Sequence, residues 1–372
     1  MAEHPREHTE LIIDIGSASV GACFSTGAPG LKPVLSYVKR VNLGSRSEAG
    51  RSGIQEFAIK ALKEAVAALP SAPVPERVRV VLAAPWYAAE AKIIVSDSEK
   101  PLRIGRATVH HAIGKHRSEE AKTVRAGRRS IESLVSRIYV NGYATELRKT
   151  VRGKNLAIHL YESEGDAAFI ESVENILKDA FPHAARTFHT FPFVSFIALR
   201  SIEGAESFVF IDAGGEVSDI LIASGGDPAF LSSFPEGTQT FIRRAADGGS
   251  LADASSRLTL FAKGQLSGEE ASRFSETFSA IAASWNGNYD RVLDAASMRL
   301  PMPRMVFIAS DKEPLSWFER VFSLRSSPSS SRPVLLMPDF FAHSVTLGDD
   351  AVFDAFLSLE ALSFGTEKES LE

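Results

Sequence analysis

The chain has 372 residues, enough for two or three domains of ordinary size, and its 44% hydrophobic and 23% charged residues are typical of a folded globular protein. This composition excludes a disordered, collagen-like or coiled-coil chain. The net charge of −5 is too small an imbalance to recruit nucleic acid. The single cysteine, Cys23, predicts a protein of the reducing cytoplasm. Since no run of about 18 apolar residues occurs, the sequence also predicts no transmembrane segment and no signal peptide.

The first predicted element is a β-hairpin over residues 11–24, in which an apolar strand reaches Asp14, small residues form the bend and a second apolar strand follows. Apolar residues then recur at steps of three and four over residues 54–69, which predicts a helix that ends at Pro70. A buried strand is predicted over residues 78–83.

A stretch of different character is predicted to form a compact α+β insert over residues 97–182. It contains a short helix, strands near residues 134–139 and 156–160, and an amphipathic helix capped by Asp166. Residues 115–129 are rich in lysine and arginine, and we expect a solvated face there, with an anionic partner or the inner membrane surface as the alternative.

A second hairpin follows the insert, and it repeats the pattern of the first. Asp212 and Gly214 stand where Asp14 and Gly16 stand in the first hairpin, each after an apolar strand. This self-similarity predicts two related halves. The second half continues with a helix that begins near Gly237, a helical segment with apolar residues at core spacing, and a strand over residues 304–309.

An Asp-x-Gly bend at the tip of a hairpin has a physical use. Small residues let backbone N–H groups approach phosphate oxygens, and the carboxylate can hold the waters of a phosphate-bound magnesium ion. For one hairpin alone, a turn in which glycine relieves strain is the better interpretation. For two hairpins at matching places, a clamp on a nucleotide is favoured.

The motifs Asp14-Ile15-Gly16-Ser17 and Asp212-Ala213-Gly214-Gly215 resemble the two phosphate motifs of the actin, hexokinase and heat-shock chaperone superfamily. The order of segments is similar to the bacterial branch that contains the division protein FtsA and the type IV pilus assembly protein PilM, with the length closer to PilM. The resemblance implies an α/β, two-lobed, actin-like (ribonuclease H-like) fold with a small α+β insert in the first lobe.

The resemblance also implies a division into domains. The first lobe core (1A-like) would comprise residues 9–96 and 183–204, and residues 97–182 would be the insert (1C or SHS2-like). Residues 205–244 and 300–372 would form the second lobe core (2A-like), from which a C-terminal helix can return to the first lobe. Residues 245–299 would form the outer subdomain of the second lobe (2B-like).

Carried over residue by residue, the resemblance implies ATP and magnesium as cofactors. Asp14 and Asp212 would hold the magnesium ion through water, and Asp212 is the one weak candidate for a catalytic role, in an ATPase that would at most be slow. The residues implied to bind the cofactor are Asp14, Gly16, Ser17, Ser19, Asp212, Gly214, Gly215 and Gly237.

The chain departs from the superfamily pattern at the adenosine end. The glycine pair expected after the late strand is replaced by Ala309-Ser310, whose Cβ atoms obstruct close backbone approach, and no Glu-x-x-Lys helix is found near residues 257–263. In the pair expected before the helix at Thr238, only Gly237 is present. The adenosine motif is therefore degenerate.

The function that the resemblance implies is an ATP-binding cytoplasmic scaffold of a bacterial cell-envelope machine, in type IV pilus assembly or cell division. It would lie peripheral to the inner membrane, dock to a segment of a membrane-anchored partner and possess the capacity for self-association, with no nucleic-acid partner. Two alternatives stay open: a pseudo-ATPase adaptor that has lost nucleotide binding, and a small-molecule kinase of the same superfamily.

Overall fold

The structure is a computed structural model that describes residues 8–28, 31–44, 51–120, 127–146, 149–325 and 332–365. Its strands form three sheets. Part of the predicted basic segment, residues 121–126, lies outside the described residues. Within the described ranges, no helix is long and apolar enough to cross a bilayer.

The first sheet has six strands in the order β15-β3-β2-β1-β4-β9. Its strands are β1 (His8–Ile15), β2 (Ser19–Gly27), β3 (Val34–Asn42), β4 (Arg77–Leu82), β9 (Ala185–Thr190) and β15 (Thr346–Leu347). The first three strands pair antiparallel, whereas β4 runs parallel to β1, and β9 and β15 run parallel to their neighbours. The predicted first hairpin is β1 and β2, with Asp14 one residue before the end of β1.

The second sheet repeats this topology with five strands in the order β12-β11-β10-β13-β14. Its strands are β10 (Phe208–Ala213), β11 (Ser218–Ser224), β12 (Asp227–Phe234), β13 (Val306–Ala309) and β14 (Val334–Leu335). Here too the first three strands pair antiparallel, and the last two run parallel to β10. The two sheets confirm the predicted α/β fold of two related lobes.

The third sheet has four strands in the order β5-β8-β6-β7. Its strands are β5 (Tyr87–Ile104), β6 (Arg128–Val140), β7 (Tyr143–Ala144) and β8 (Val151–Asp166), and helix α2 (Arg106–Glu120) packs on one face. Helix α3 (Ala167–Ala180) begins at the predicted cap, where Asp166 Oδ1 accepts a hydrogen bond of 3.0 Å from the Phe169 amide.

The extent of this sheet differs from the predicted insert over residues 97–182 at both ends. The sheet begins at Tyr87 because β5 continues almost directly from the first lobe. Helix α3 packs its apolar face, including Phe169 and Leu177, into the core of the first lobe. The division of the chain into domains otherwise stays a prediction.

Helices form three layers around the first two sheets. Helices α1 (Arg51–Ala67) and α3 cover the outer face of the first sheet. Helices α5 (Thr238–Ala246), α6 (Leu251–Ala262), α7 (Gly268–Ser297) and α8 (Lys312–Ser323) cover the outer face of the second. The short helix α9 (Pro338–Phe341) precedes β15, and Phe341 joins the core between the sheets.

Helices α4 (Phe191–Glu203) and α10 (Ala355–Gly365) lie between the two sheets. Both pack against strands of both lobes, so residues 355–363 of α10 are all buried. A helix that is covered on all sides has no need of a polar face, which explains its apolar sequence. The C-terminal helix thus returns to the first lobe and ties it to the second.

Candidate functional site

The bends of the two hairpins touch each other. The Glu216 amide, in the second bend, donates a hydrogen bond of 2.9 Å to Ser17 Oγ in the first. A Cβ atom built on Gly215 would lie 2.7 Å from the Ala18 amide nitrogen, which is closer than real Cβ contacts allow. Glycine is therefore required at position 215, and it lets the two lobes meet at these bends.

Arg40 of β3 binds the carboxylate of the first bend. Its Nη1 atom lies 2.8 Å from Asp14 Oδ2 and 2.8 Å from Ser19 Oγ. Its Nε and Nη2 atoms bind both carboxylate oxygens of Asp354 at 2.6 and 2.9 Å. Gly21, the strand partner of Arg40, leaves room for the guanidinium, because a Cβ there would lie 2.7 Å from Arg40 Nη2.

Burial dominates the electrostatics of Asp14. Removal from water raises the pKa of Asp14 to about 6, although the Arg40 guanidinium lowers it. Asp14 is 3% exposed, so its carboxylate depends on Arg40 for neutralisation. A carboxylate that is already bound to a guanidinium has less capacity to hold the waters of a magnesium ion.

Asp212 of the second hairpin is buried and carries an unsatisfied oxygen. Within the described part of the chain, Asp212 Oδ1 has no hydrogen-bond partner. Burial raises the pKa of Asp212 well above its ordinary value, and the negative charges of Asp219 and Asp14 raise it further. The hydroxyl of Tyr87 donates a hydrogen bond to the carboxylate of Asp219. Burial raises the pKa of Asp219 to about 6.

A further carboxylate, Glu360 of α10, lies in the layer between the sheets. It is fully buried, and neither of its side-chain oxygens has a hydrogen-bond partner among the described residues. Burial raises its pKa well above the ordinary value, and the charge of Asp14 adds to this effect. Both effects favour the neutral, protonated form of Glu360.

The N-terminus of α5 is occupied by the second hairpin. The amides of Thr238 and Gln239 each donate a 2.9 Å hydrogen bond, to the carbonyls of Gly214 and Gly215 respectively. A Cβ on Gly237 would lie 2.4 Å from both carbonyl oxygens, so only glycine fits. Amides at a helix N-terminus are the donors that commonly bind phosphate, and here the chain itself uses two of them.

Further side-chain contacts hold both bends in place. Arg243 of α5 binds both carboxylate oxygens of Glu216 at 3.0 and 2.6 Å, which holds the helix against the second bend. In the first bend, the Gly16 amide donates to the Ser19 carbonyl at 3.0 Å, and the Gly16 carbonyl accepts a 3.1 Å bond from Trp86 Nε1.

The structure brings the predicted site residues together at the contact between the two bends. One cavity of about 340 Å³ is lined by Arg244 and residues of α7, and another of about 260 Å³ lies between β5, β11 and β12. Neither is lined by Asp14, Asp212 or the glycines of the bends. In the described ranges, no group of three or more histidine, cysteine or acidic side chains is arranged to hold a metal ion. In this arrangement Arg40 binds Asp14 and the second bend binds two amides of α5, and the phosphate and metal roles of these residues stay predictions.

Sequence reasoning missed the side chains that set the charge of this site: Arg40, Asp219, Asp354 and Glu360. Arg40 reaches Asp354 across a separation of 314 residues, a contact that no local pattern indicates. The one local signal was Gly21, a glycine within strand β2, whose missing side chain makes room for Arg40.

No family model and no curated protein matches the sequence. Among solved structures, a chain of the PilM-PilN type IV pilus biogenesis complex matches with a TM-score of 0.66 and 12% identity over 96% of both chains. EutJ from Carboxydothermus hydrogenoformans matches at TM-score 0.45 and 13% identity, over 97% of this chain and 90% of that one. A Bacteroides thetaiotaomicron VPI-5482 protein with an actin-like ATPase fold and unknown function matches at TM-score 0.38 and 11% identity, over 96% of both chains.

The match at TM-score 0.66 defines a class of fold. The chain has the actin-like ATPase fold, as its motifs predict. Within that class its layout is similar to that of the matched chain of the PilM-PilN complex, over 96% of both chains.

Proposed function

We propose that this chain is a nucleotide-independent actin-like scaffold of a bacterial cell-envelope machine. In this role it lies at the cytoplasmic side of the inner membrane and binds a membrane-anchored protein. The PilM-like layout over 96% of the chain supports this proposal, since that match comes from a complex of PilM with PilN in type IV pilus biogenesis. A role in cell division is the less supported version.

The observation that carries the nucleotide-independent part is the position of Arg40. Its guanidinium supplies a permanent positive charge between Asp14 and Asp354, beside the bend where the superfamily pattern implies a metal and phosphates. The contacts between the bends and the capped N-terminus of α5 support the same conclusion. The lobes are held closed by the chain's own residues.

An ATP-binding scaffold is the second candidate, and two observations favour it. Asp14 and Asp212 lie close enough for the charge of one to raise the pKa of the other, and Asp212 Oδ1 has no hydrogen-bond partner among the described residues. This candidate requires Arg40 to leave Asp14 and the bends to separate. A small-molecule kinase needs a substrate cavity at the bends, and neither of the two cavities described above is lined by them.

A thermal-shift titration with magnesium-ATP separates the two scaffolds. A ligand present at 100 times its Kd stabilises the folded state by about 2.7 kcal/mol, so binding raises the melting temperature. We expect no rise for the wild type at millimolar magnesium-ATP. A rise that Asp14→Asn abolishes, and that the exposed control Asp179→Asn retains, would establish the ATP-binding scaffold instead.

A sedimentation experiment tests the membrane-anchored partner. The full-length chain is mixed with inverted inner-membrane vesicles from the source cell, with the same vesicles after trypsin digestion, and with liposomes of the extracted lipids. We expect co-sedimentation with the untreated vesicles only. Equal sedimentation with liposomes would show lipid binding, and no sedimentation with any vesicle would remove the scaffold proposal.

A further inference from the structure

The connector between α7 and β13, residues 298–305, exposes an unusual set of side chains. It holds three of the five methionines of the chain, Met298, Met302 and Met305, together with two arginines. Met298 is 82% exposed and Met305 is 40% exposed. We call this surface the methionine–arginine loop. Apolar side chains this exposed are not explained by the packing of the core.

The methionine–arginine loop is held in place rather than extended into solvent. The amides of Arg299 and Leu300 donate to the Ala296 carbonyl at 2.9 and 3.0 Å, and the Met305 carbonyl accepts a 2.9 Å bond from the Val209 amide. Leu300 and Met302 pack against the core of the second lobe. Pro301 and Pro303 restrict the backbone between these anchors. A surface fixed in this way loses little conformational entropy when it binds a partner.

The charge of the loop is positive on a chain that is acidic overall. Asp294 and Asp311 are the nearest acidic residues in sequence on either side of it. Arg299 lies 5.9 Å over the ring of Phe230, and in the described part of the chain neither Arg299 nor Arg304 forms an ion pair. Two unneutralised guanidinium groups beside exposed methionines complement a partner with both acidic and apolar side chains.

We propose that the methionine–arginine loop binds an acidic amphipathic segment of a protein partner. Methionine and arginine are enriched in the cores of protein interfaces. The flexible thioether adapts to apolar side chains of different shape, and arginine binds carboxylates in a bidentate manner. An anionic membrane is the weaker fit, since two basic residues contribute only about 2 kcal/mol at a lipid surface. The proposal does not depend on whether the site at the two bends binds a nucleotide.

Fluorescence anisotropy with the full-length chain and labelled 18-residue peptides tests the proposal. The probe peptide carries leucines on one helical face and glutamates on the other. One control peptide is its scramble, and a second has lysine in place of every glutamate. We expect the wild type to bind the probe at least tenfold more tightly than either control peptide.

Variants locate the binding surface. Arg299→Glu combined with Arg304→Glu should weaken probe binding at least tenfold, and Met298→Ser combined with Met305→Ser should weaken it severalfold. The matched control, Arg103→Glu with Arg152→Glu, changes two exposed arginines of the third sheet and should bind as the wild type does.

Three outcomes would overturn the proposal. The first is equal binding of the probe and its scramble, and the second is equal weakening by the control pair. The third is sedimentation of the wild type, but not of the arginine variant, with vesicles of phosphatidylglycerol and phosphatidylcholine while the probe peptide fails to bind. An unchanged melting temperature in both double variants shows that the loss of binding does not come from unfolding.

Discussion

Replacement of Arg40 by leucine tests the arrangement of charges at the site around Asp14. The change leaves Asp14 buried without the guanidinium that neutralises it, and it also removes both hydrogen bonds to Asp354. Loss of one partner of a buried ion pair costs about 3–5 kcal/mol. The Arg40 side chain is 17% exposed, so solvent screens only a small part of this effect. We expect Arg40→Leu to lower the free energy of unfolding by about 4 kcal/mol at pH 8.

The loss should depend on pH in a defined direction. The pKa of Asp14 is about 6 in the folded protein against 3.8 for the ordinary group, and without Arg40 it rises further. A raised folded-state pKa costs stability when the carboxylate is ionised, and this cost disappears as the pH falls below the ordinary value. The variant should therefore lose less stability at pH 5 than at pH 8. Asp14→Asn in the Arg40→Leu background should recover part of the loss at pH 8.

Arg40→Leu and Asp14→Asn form a double-mutant cycle with the wild type and the double variant. Chemical denaturation of these four proteins at pH 5 and pH 8 gives the required free energies of unfolding. Arg273→Leu is the control, because Arg273 forms an exposed ion pair with Glu269 and should change the stability by less than about 1 kcal/mol at either pH. A loss of the same size at both pH values, or no recovery with Asp14→Asn, would refute the reasoning.

Three further predictions concern the bends and the buried acids. Gly215→Ala places a Cβ 2.8 Å from that of Ala18 and should lower the free energy of unfolding by about 1–3 kcal/mol. The control, Gly287→Ala, lies in open space within α7 and should stabilise the chain by up to about 1 kcal/mol. Denaturation curves that do not separate the two variants would contradict the contact between the bends. Asp219→Asn removes a carboxylate whose pKa rises from 3.8 to about 6, so it should stabilise the chain by up to about 3 kcal/mol at pH 8 and not at pH 3, as thermal melts across pH will show. Glu360→Gln should also stabilise at pH 8, and a lower melting temperature there would mean that Glu360 has a partner in the folded state.

Local signals predicted the parts of the fold whose causes are local. Asp166 caps α3 as predicted, and α5 begins directly after Gly237, because a side-chain cap and a glycine act within a few residues. The paired hairpins are recognisable since each combines an apolar strand with a small-residue bend. These elements were enough to indicate the two-lobed fold.

What lies against the two bends was not predictable in this way, because it depends on residues that are distant in sequence. The Asp-x-Gly bends carry the same residue types whether a phosphate or another part of the chain lies against them. Whether Arg40 reaches Asp14 depends on the pairing of β3 with β2 and on the space at Gly21. The start of the third sheet at Tyr87 is a similar case, since strand pairing with β8 defines it.

Two elements late in the described chain, β15 and α10, complete the first lobe. Strand β15 pairs with β3 at the edge of the first sheet, and α10 covers the inner faces of both sheets. During synthesis on a ribosome, the inner face of the first sheet, including Ile12 and Cys23, therefore remains partly uncovered until residues 355–365 have left the exit tunnel. A nascent chain that stalls before α10 therefore exposes a surface that chaperones and proteases recognise.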